Sequence, residues 1–359
     1  MTKYNNIKVG ISIGDINGIG LEIVLKTFTD KRILTLCTPI LYASKKTIAT
    51  HKKILNINTT IQGISNSKAA IDGKINLVNV WDEDATIEIG KATEQGGKYA
   101  LRSLESAVQD LKNNVIDVLV TAPINKNTIQ SKDFKFPGHT EYLEANLDGE
   151  SLMILMSGDL KVALLTGHIP IEDVAKTITP VLITKKVKVL QDTLKQDFSI
   201  NKPKIALLSI NPHAGDDGVI GNDDEKVMIP TINKLQKDGF LVYGPYPADS
   251  FFGSGNYTNF DAILAAYHDQ GLTPFKTLAF GKGVNYTAGL SHIRTSPDHG
   301  TAFDIAGKGK ADESSFKEAL YTAISIYKTR KQNLALEANA LWFFVTQLNF
   351  IKILNLLFI

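Results

Sequence analysis

The chain has 359 residues, 43% of them hydrophobic, which is enough to bury a large core in one large or two intimately joined α/β domains. Thirty-nine Lys and Arg against thirty-seven Asp and Glu leave a formal charge of +2, which excludes the broad basic surface of a sequence-independent nucleic-acid binder. The one cysteine, Cys37, excludes an intrachain disulfide and a thiolate metal cluster and fits a reducing compartment.

The N-terminal "MTKYNNIKVGISIGD" has no apolar signal region and runs straight into a strand pattern, so a cytoplasmic location is expected. In chain order, "IKVGISI", "TPILYA", "IDVLVT", "KVALLT", "KIALLSI" and "FDAILAAY" read as short strands. Between them, stretches such as "GKYALRSLESAVQDLKNN" repeat apolar residues at helical spacing. This alternation predicts an α/β fold. In open α/β sheets ligands bind beyond the carboxyl ends of the strands, so the polar residues that follow these runs carry the most information. No G-x-G-x-x-G follows a strand, and "GDINGIG" at residues 14–20 has a different spacing, so a Rossmann dinucleotide site is not expected.

Three of the seven histidines follow separate strand patterns: His168 in "VALLTGHIP", His213 in "IALLSINPHAG" and His268 in "DAILAAYHDQG". One such histidine is usually no more than a polar strand cap. Three behind neighbouring strands predict imidazoles converging on one crevice and holding a divalent metal with positions open for substrate. "FPGHTEYLEANL" puts His139 and Thr140 at a glycine-preceded helix start, where free N–H groups favour an anion, although Thr140 also fits a simple N-cap. The stretch from Pro274 to Gly300 reads as loop-rich and offers Lys276, Asn285 and Arg294 as a clamp for a phosphorylated substrate. "DHGTAFDIAGKGKAD", residues 298–312, carries Gly300, Asp304, Gly307 and Gly309 in a loop flexible enough to wrap an adenosine moiety. Asp249 in "YPADSFF" and Asp269 beside His268 are candidates for a general base or for orienting an imidazole. The terminal "LWFFVTQLNFIKILNLLFI" is apolar, but Gln347, Asn349, Lys352 and Asn355 interrupt it, which argues for a packed helix over a membrane anchor.

Taken together, "GDINGIGLEI", "TAPINK", "FPGHTEYL", "LLTGHIP", "NPHAGDDGVIGNDD", "GPYPADSFF", "AAYHDQGL" and "FGKGVNYTAGLSHIRTSPDHGTAFDIAGKGKAD" closely resemble the 4-hydroxythreonine-4-phosphate dehydrogenases, the PdxA family of vitamin B6 synthesis. The resemblance runs in order from about residue 7 to 338. It implies the two-domain, non-Rossmann fold of the isocitrate and isopropylmalate dehydrogenases, with residues 1–340 as one catalytic unit of two interleaved subdomains and 341–359 as an atypical tail. It further implies NAD as cofactor and one divalent ion (Zn, Co or Mg) on His168, His213 and His268. The substrate would be held by His139, Thr140, Lys276, Asn285 and Arg294, in a homodimer whose active sites are shared between subunits. The implied reaction oxidises 4-phosphooxy-L-threonine to a β-keto acid that decarboxylates to 3-amino-2-oxopropyl phosphate. Two alternatives remain: a dehydrogenase of threonate or erythronate phosphate, and a phosphate acyltransferase on a related fold. Asp15 and Lys126 lie in matching motifs without an assigned role. Ile16-Asn17 and Leu21 depart from the family's Pro-Ala and Pro.

Overall fold

A computed structural model describes residues 6–357, with side chains described for residues 6–339. Its elements are, in chain order, β1 (Ile7–Ser12), α1 (Gly20–Thr27), β2 (Cys37–Ala43), α2 (Lys45–Leu55), β3 (Ile61–Ile64), β4 (Ile75–Asn79), α3 (Glu94–Lys112), β5 (Val118–Thr121), α4 (His139–Asn146), β6 (Gly149–Ser157), β7 (Leu160–Leu164), α5 (Val174–Thr177), α6 (Pro180–Phe198), β8 (Lys204–Leu208), α7 (Ile229–Lys237), β9 (Leu241–Tyr246), α8 (Ala248–Gly253), β10 (Ala262–Ala265), α9 (His268–Ala279), β11 (Val284–Leu290), β12 (Ile293–Pro297) and α10 (Ser314–Leu357). All six runs read as strands from the sequence are strands, and "GKYALRSLESAVQDLKNN" lies largely within α3.

One sheet of twelve strands, in the order β3-β4-β2-β1-β5-β12-β11-β6-β7-β10-β8-β9, organises the chain. Strands β3, β4, β2, β1, β5 and β12 are mutually parallel. Strands β7, β10, β8 and β9 are also mutually parallel. Antiparallel pairs β12–β11, β11–β6 and β6–β7 join the two groups, so the groups run in opposite directions. The reversal takes place in the middle of the sheet.

Strand alternation then decides which face is covered. Val284, Tyr286 and Ala288 of β11, Leu152, Ile154 and Met156 of β6 and Ile293 of β12 join one core that runs unbroken across the sheet, capped by apolar residues of α6 and α10 such as Leu190, Phe316 and Leu320. On the opposite face the core is divided. One cluster packs Leu104 of α3 and Leu143 of α4 on β2 and β5. The other packs Phe251 of α8 and Phe275 of α9 on β7, β8 and β10. Between them, β11 and β12 present Asn285, Thr287, Arg294 and Ser296 instead of a continuous apolar surface.

Two local readings of the sequence are corrected here. The segment after His268 is not a broken loop but α9, which accommodates Pro274 because Leu272, Phe275 and Ala279, at helical spacing, bury against the second cluster. Asn285 and Arg294 likewise stand on the antiparallel pair β11–β12, not on a loop. Gly and Pro content overstated the irregularity of this stretch. Among the described residues, no helix is long and apolar enough to cross a membrane. The helix α10 runs to Leu357, and the side chains of the apolar tail lie outside the described residues.

The continuous face carries one buried ionic knot. Asp197 of α6 accepts from Tyr286 Oη at 2.5 Å and from Arg330 Nε of α10 at 2.5 Å, while Arg330 Nη2 donates to Tyr286 Oη at 3.0 Å. Removing Arg330 leaves the Asp197 carboxylate buried without its counter-charge, a change that costs ~3–5 kcal/mol. Urea denaturation of Arg330→Ala is expected to show a stability loss of that order.

Candidate active site

The gap between the two clusters is a cavity of about 280 Å³. Its floor is the polar face of β11 and β12, and its walls come from the segment after β5, the start of α4 and the ends of β7 and β10. It therefore collects residues from both strand groups, whose carboxyl ends lie at opposite edges of the sheet.

Arg294 dominates the floor. It is 2% exposed, and its guanidinium meets only hydroxyls: Nε and Nη2 donate to Thr121 Oγ1 at 3.0 and 2.6 Å, and Nη1 donates to Thr287 Oγ1 at 3.0 Å. Register explains the cluster, because Thr287 faces Arg294 directly across the β11–β12 pair. Burial pulls the guanidinium pKa down to about 9, with Glu141 opposing the shift, so the group remains a cation at neutral pH. A buried cation that meets only hydroxyls and lines a cavity is a ready anion site.

Three buried polar atoms that line the same cavity lack any hydrogen-bond partner: His139 Nε2, Asn285 Oδ1 and His299 Nε2. Orphaned buried polar atoms are rare in folded proteins, and three in one cavity are what a site built for a polar ligand leaves in its absence. His139 opens α4 behind Gly138, which stands at the N-cap position and offers no side-chain cap. Thr140 is therefore the second helical residue, not the cap. Burial, reinforced by Arg294 and Lys126, holds the His139 imidazole well below its ordinary pKa and keeps it neutral.

Of the three predicted metal ligands, two meet. The rings of His168 and His268 lie 5.3 Å apart and both line the cavity. Asp269 Oδ1 lies 2.6 Å from His268 Nδ1 and fixes the proton there, which leaves the Nε2 lone pair available. His168 Nε2 lies 3.3 Å from Lys126 Nζ, and burial followed by the Lys126 charge lowers its pKa. His213 does not join them. The strands β7, β10 and β8 are parallel neighbours, as the sequence reading required, but His213 sits beyond β8 in an exposed turn at φ +53°. No group of three His, Cys, Asp or Glu side chains able to hold a metal forms within this chain among the described residues. Asp249, exposed on α8, is likewise outside the cavity.

Lys276 lines the cavity from α9 and Gly300 from its rim. Asp304, Gly307 and Gly309 continue the loop away from it. That loop is moored to the N-terminal motif: Ile19 N donates to Thr301 O at 3.0 Å, Ala311 N to Glu22 Oε1 at 2.9 Å, and Lys26 Nζ to Gly309 O at 2.8 Å. Gly307 sits at φ +69°, and a Cβ there would come 2.6 Å from Ile89 Cγ2, so glycine is required on both counts. Asn17, one of the departures from the family motif, is buried and joins the adjoining segment through Thr93 Oγ1 at 2.9 Å and Glu88 N at 2.8 Å. Asp15 is also buried, accepts from Asn17 N at 2.9 Å and has a raised pKa from burial, which makes it a support for this turn. The sequence reading left Lys126 without a role and did not single out Thr121, Glu141, Thr287 or His299.

Fold and cavity together define an α/β protein with a central site for a small anionic molecule. The chain matches the family model described as "Pyridoxal phosphate biosynthetic protein PdxA" over residues 35–323. It is 51% identical to the 4-hydroxythreonine-4-phosphate dehydrogenase of Bacteroides thetaiotaomicron, over 94% of each chain. It is 42% identical to that of a Sulfurihydrogenibium species, over 90% of this chain and all of the relative. A crystal structure of a 4-hydroxythreonine-4-phosphate dehydrogenase from Burkholderia phymatum superposes with a TM-score of 0.73 at 36% identity, covering 89% of this chain and 98% of the other. The chain belongs to the PdxA family.

Replacing Arg294 by Met separates a binding role from a structural one. Exchanging a buried charge for an apolar side chain of similar volume is often neutral or stabilising, so the thermal midpoint of Arg294→Met should not fall. Inorganic phosphate should raise the midpoint of the parent and leave the variant unmoved, as differential scanning fluorimetry across a phosphate titration can read. Equal phosphate shifts in both would make Arg294 a structural residue.

Proposed function

We propose that this chain is an NAD-dependent dehydrogenase that oxidises 4-phosphooxy-L-threonine, with loss of CO₂, to 3-amino-2-oxopropyl phosphate in pyridoxal 5'-phosphate synthesis. The observation that carries the reading is the buried Arg294 cation, which meets only hydroxyls and stands in a cavity with three orphaned polar atoms. Family membership supplies the reaction class. The phosphate is assigned to Arg294, Lys276, Asn285 and the N–H groups of His139 and Thr140 at the start of α4, which combine charge with directed donors.

The donor set suits a divalent metal in part. His168 and His268 are adjacent, burial lowers the pKa of His168 and favours its neutral form, and Asp269 orients His268. A third ligand from this chain is absent from the cavity, and His213 completes the set only if a second subunit presents it. A homodimer with shared sites accounts for that placement and for the distance of Asp249. When bound, such an ion would supply a Lewis acid for the C3 hydroxyl and for the charge developed on decarboxylation, and a nicotinamide would supply the hydride-accepting group. Gly300, Asp304, Gly307 and Gly309 are assigned to that cofactor, in a loop already moored to α1.

The chain's own residues then have defined tasks. The Arg294 clamp fixes one end of the substrate, so that C3 and its hydroxyl reach the histidine pair. Oxidation removes the C3 hydrogen as hydride and the hydroxyl proton to a base. The resulting ketone lies β to the carboxylate, the C1–C2 bond breaks, and CO₂ leaves. Protonation at C2 completes the product. Lys126, beside His168 and among the cavity-lining cations, lies where it can stabilise negative charge near the reacting centre.

The test is NADH formation from 4-phosphooxy-L-threonine with added Zn²⁺, Co²⁺ or Mg²⁺, together with the metal content of the dialysed protein. His213→Ala should abolish turnover and lower bound metal while leaving the fold intact by circular dichroism. Normal turnover with undiminished metal would remove His213 from the assignment.

A further inference from the structure

The cavity holds an acid that makes no hydrogen bond to the phosphate clamp or to the histidine pair, although its charge acts on both Arg294 and His168. Glu141, third residue of α4, lines it with a side chain 38% exposed. Among the described residues its carboxylate has no hydrogen-bond partner, and the nearest cationic candidate is His168 Nδ1 at 4.0 Å, too far for a hydrogen bond. The other acid of the cavity, Asp298, is held back by packing: its Oδ2 lies so close to Gly283 that a Cβ there would lie 2.1 Å away, and its Oδ1 lies 3.3 Å from Ser315 Oγ, whose proton goes to Gly283 O at 2.7 Å. Glu141 is thus the carboxylate free to meet a ligand.

We infer that Glu141 is the specificity residue that receives the C2 ammonium group of the substrate and so separates 2-amino from 2-hydroxy four-carbon phosphates. The inference rests on the functional reading above. Lys126, Lys276 and Arg294 outnumber the two carboxylates of the lining, Glu141 and Asp298, and leave the cavity net cationic. That field suits a phosphate and a carboxylate but repels the one positive group the amino substrate carries. An unpartnered carboxylate beside the histidine pair, where the reacting end of the substrate lies, reverses the local sign. A substrate with a hydroxyl at C2 needs no such partner and gains less from the acid. Discrimination then follows from one charge-assisted hydrogen bond, since the remaining contacts are common to both molecules.

The experiment compares kcat/KM for 4-phosphooxy-L-threonine and for 4-phosphothreonate, its analogue with a C2 hydroxyl, in the metal-loaded full-length protein and in Glu141→Gln. The substitution keeps size and removes charge. Its expected effect is a loss of roughly 10- to 100-fold on the amino substrate, carried mainly by KM, against a change within about threefold on the hydroxy analogue. Glu141→Asp, which keeps the charge, should retain more of the preference than Gln, and this comparison guards against a general loss of folding. Equal losses on both substrates, or a fall confined to kcat, would show that Glu141 acts on His168 and overturn the inference. Parent protein that oxidises the hydroxy analogue in preference overturns it too, while leaving a dehydrogenase. Parent protein that oxidises neither overturns the inference together with the functional reading.

Discussion

A guanidinium buried without a carboxylate is the constraint around which the centre of this molecule is arranged. Such a group is costly to desolvate, and two threonine hydroxyls offset only part of that cost. The face of the sheet that holds it cannot be covered by an apolar helix, which is why the core there is divided in two while the other face is sealed by α6 and α10. The cavity is the space this division leaves. A ligand with two or more negative charges supplies what the fold withholds from Arg294, so affinity and unfilled polar capacity are two aspects of one arrangement.

The reversal of strand direction gives the cavity its second property. In a sheet of one direction, only one set of strand ends faces any given crevice. Here the segment after β5 arrives from one edge and the histidines after β7 and β10 from the other, and they meet over β11 and β12. The start of α4 and the imidazole pair therefore come from different halves of the sheet, while Lys276 reaches the same cavity from α9, the helix that begins at His268.

The strand runs, the α/β class and the cluster of Lys276, Asn285, Arg294, His139 and His168 around one cavity were legible because each depends on local pattern or on position after a strand. What was not legible depended on pairing. Whether residues 284–297 form a loop or a hairpin is decided by the partners β5 and β6, which are distant in sequence, and the glycines within the segment pointed the wrong way. The threonines that hold Arg294 are ordinary strand residues until the register sets Thr287 opposite it and Thr121 two positions beyond its β5 partner, Leu119. His213 follows a neighbouring parallel strand, yet a turn at positive φ carries it out of the cavity, and composition does not encode where such a turn leads.

The place of β12 in the sheet also bears on the order in which the molecule can be made. Val118 pairs with Val9 of β1 on one side and with Ile293 on the other, so β5 gains its second neighbour only after residue 293 has been synthesised. Until then β5 is an open edge of the first parallel group, with unpaired N–H and C=O groups available to any other strand. Pairing over so long a stretch of sequence is slow, and an unprotected edge during that interval favours association between incomplete chains. The pairing of β12 thus both covers the open edge of β5 and delivers Arg294, so assembly of the site coincides with the joining of the two strand groups.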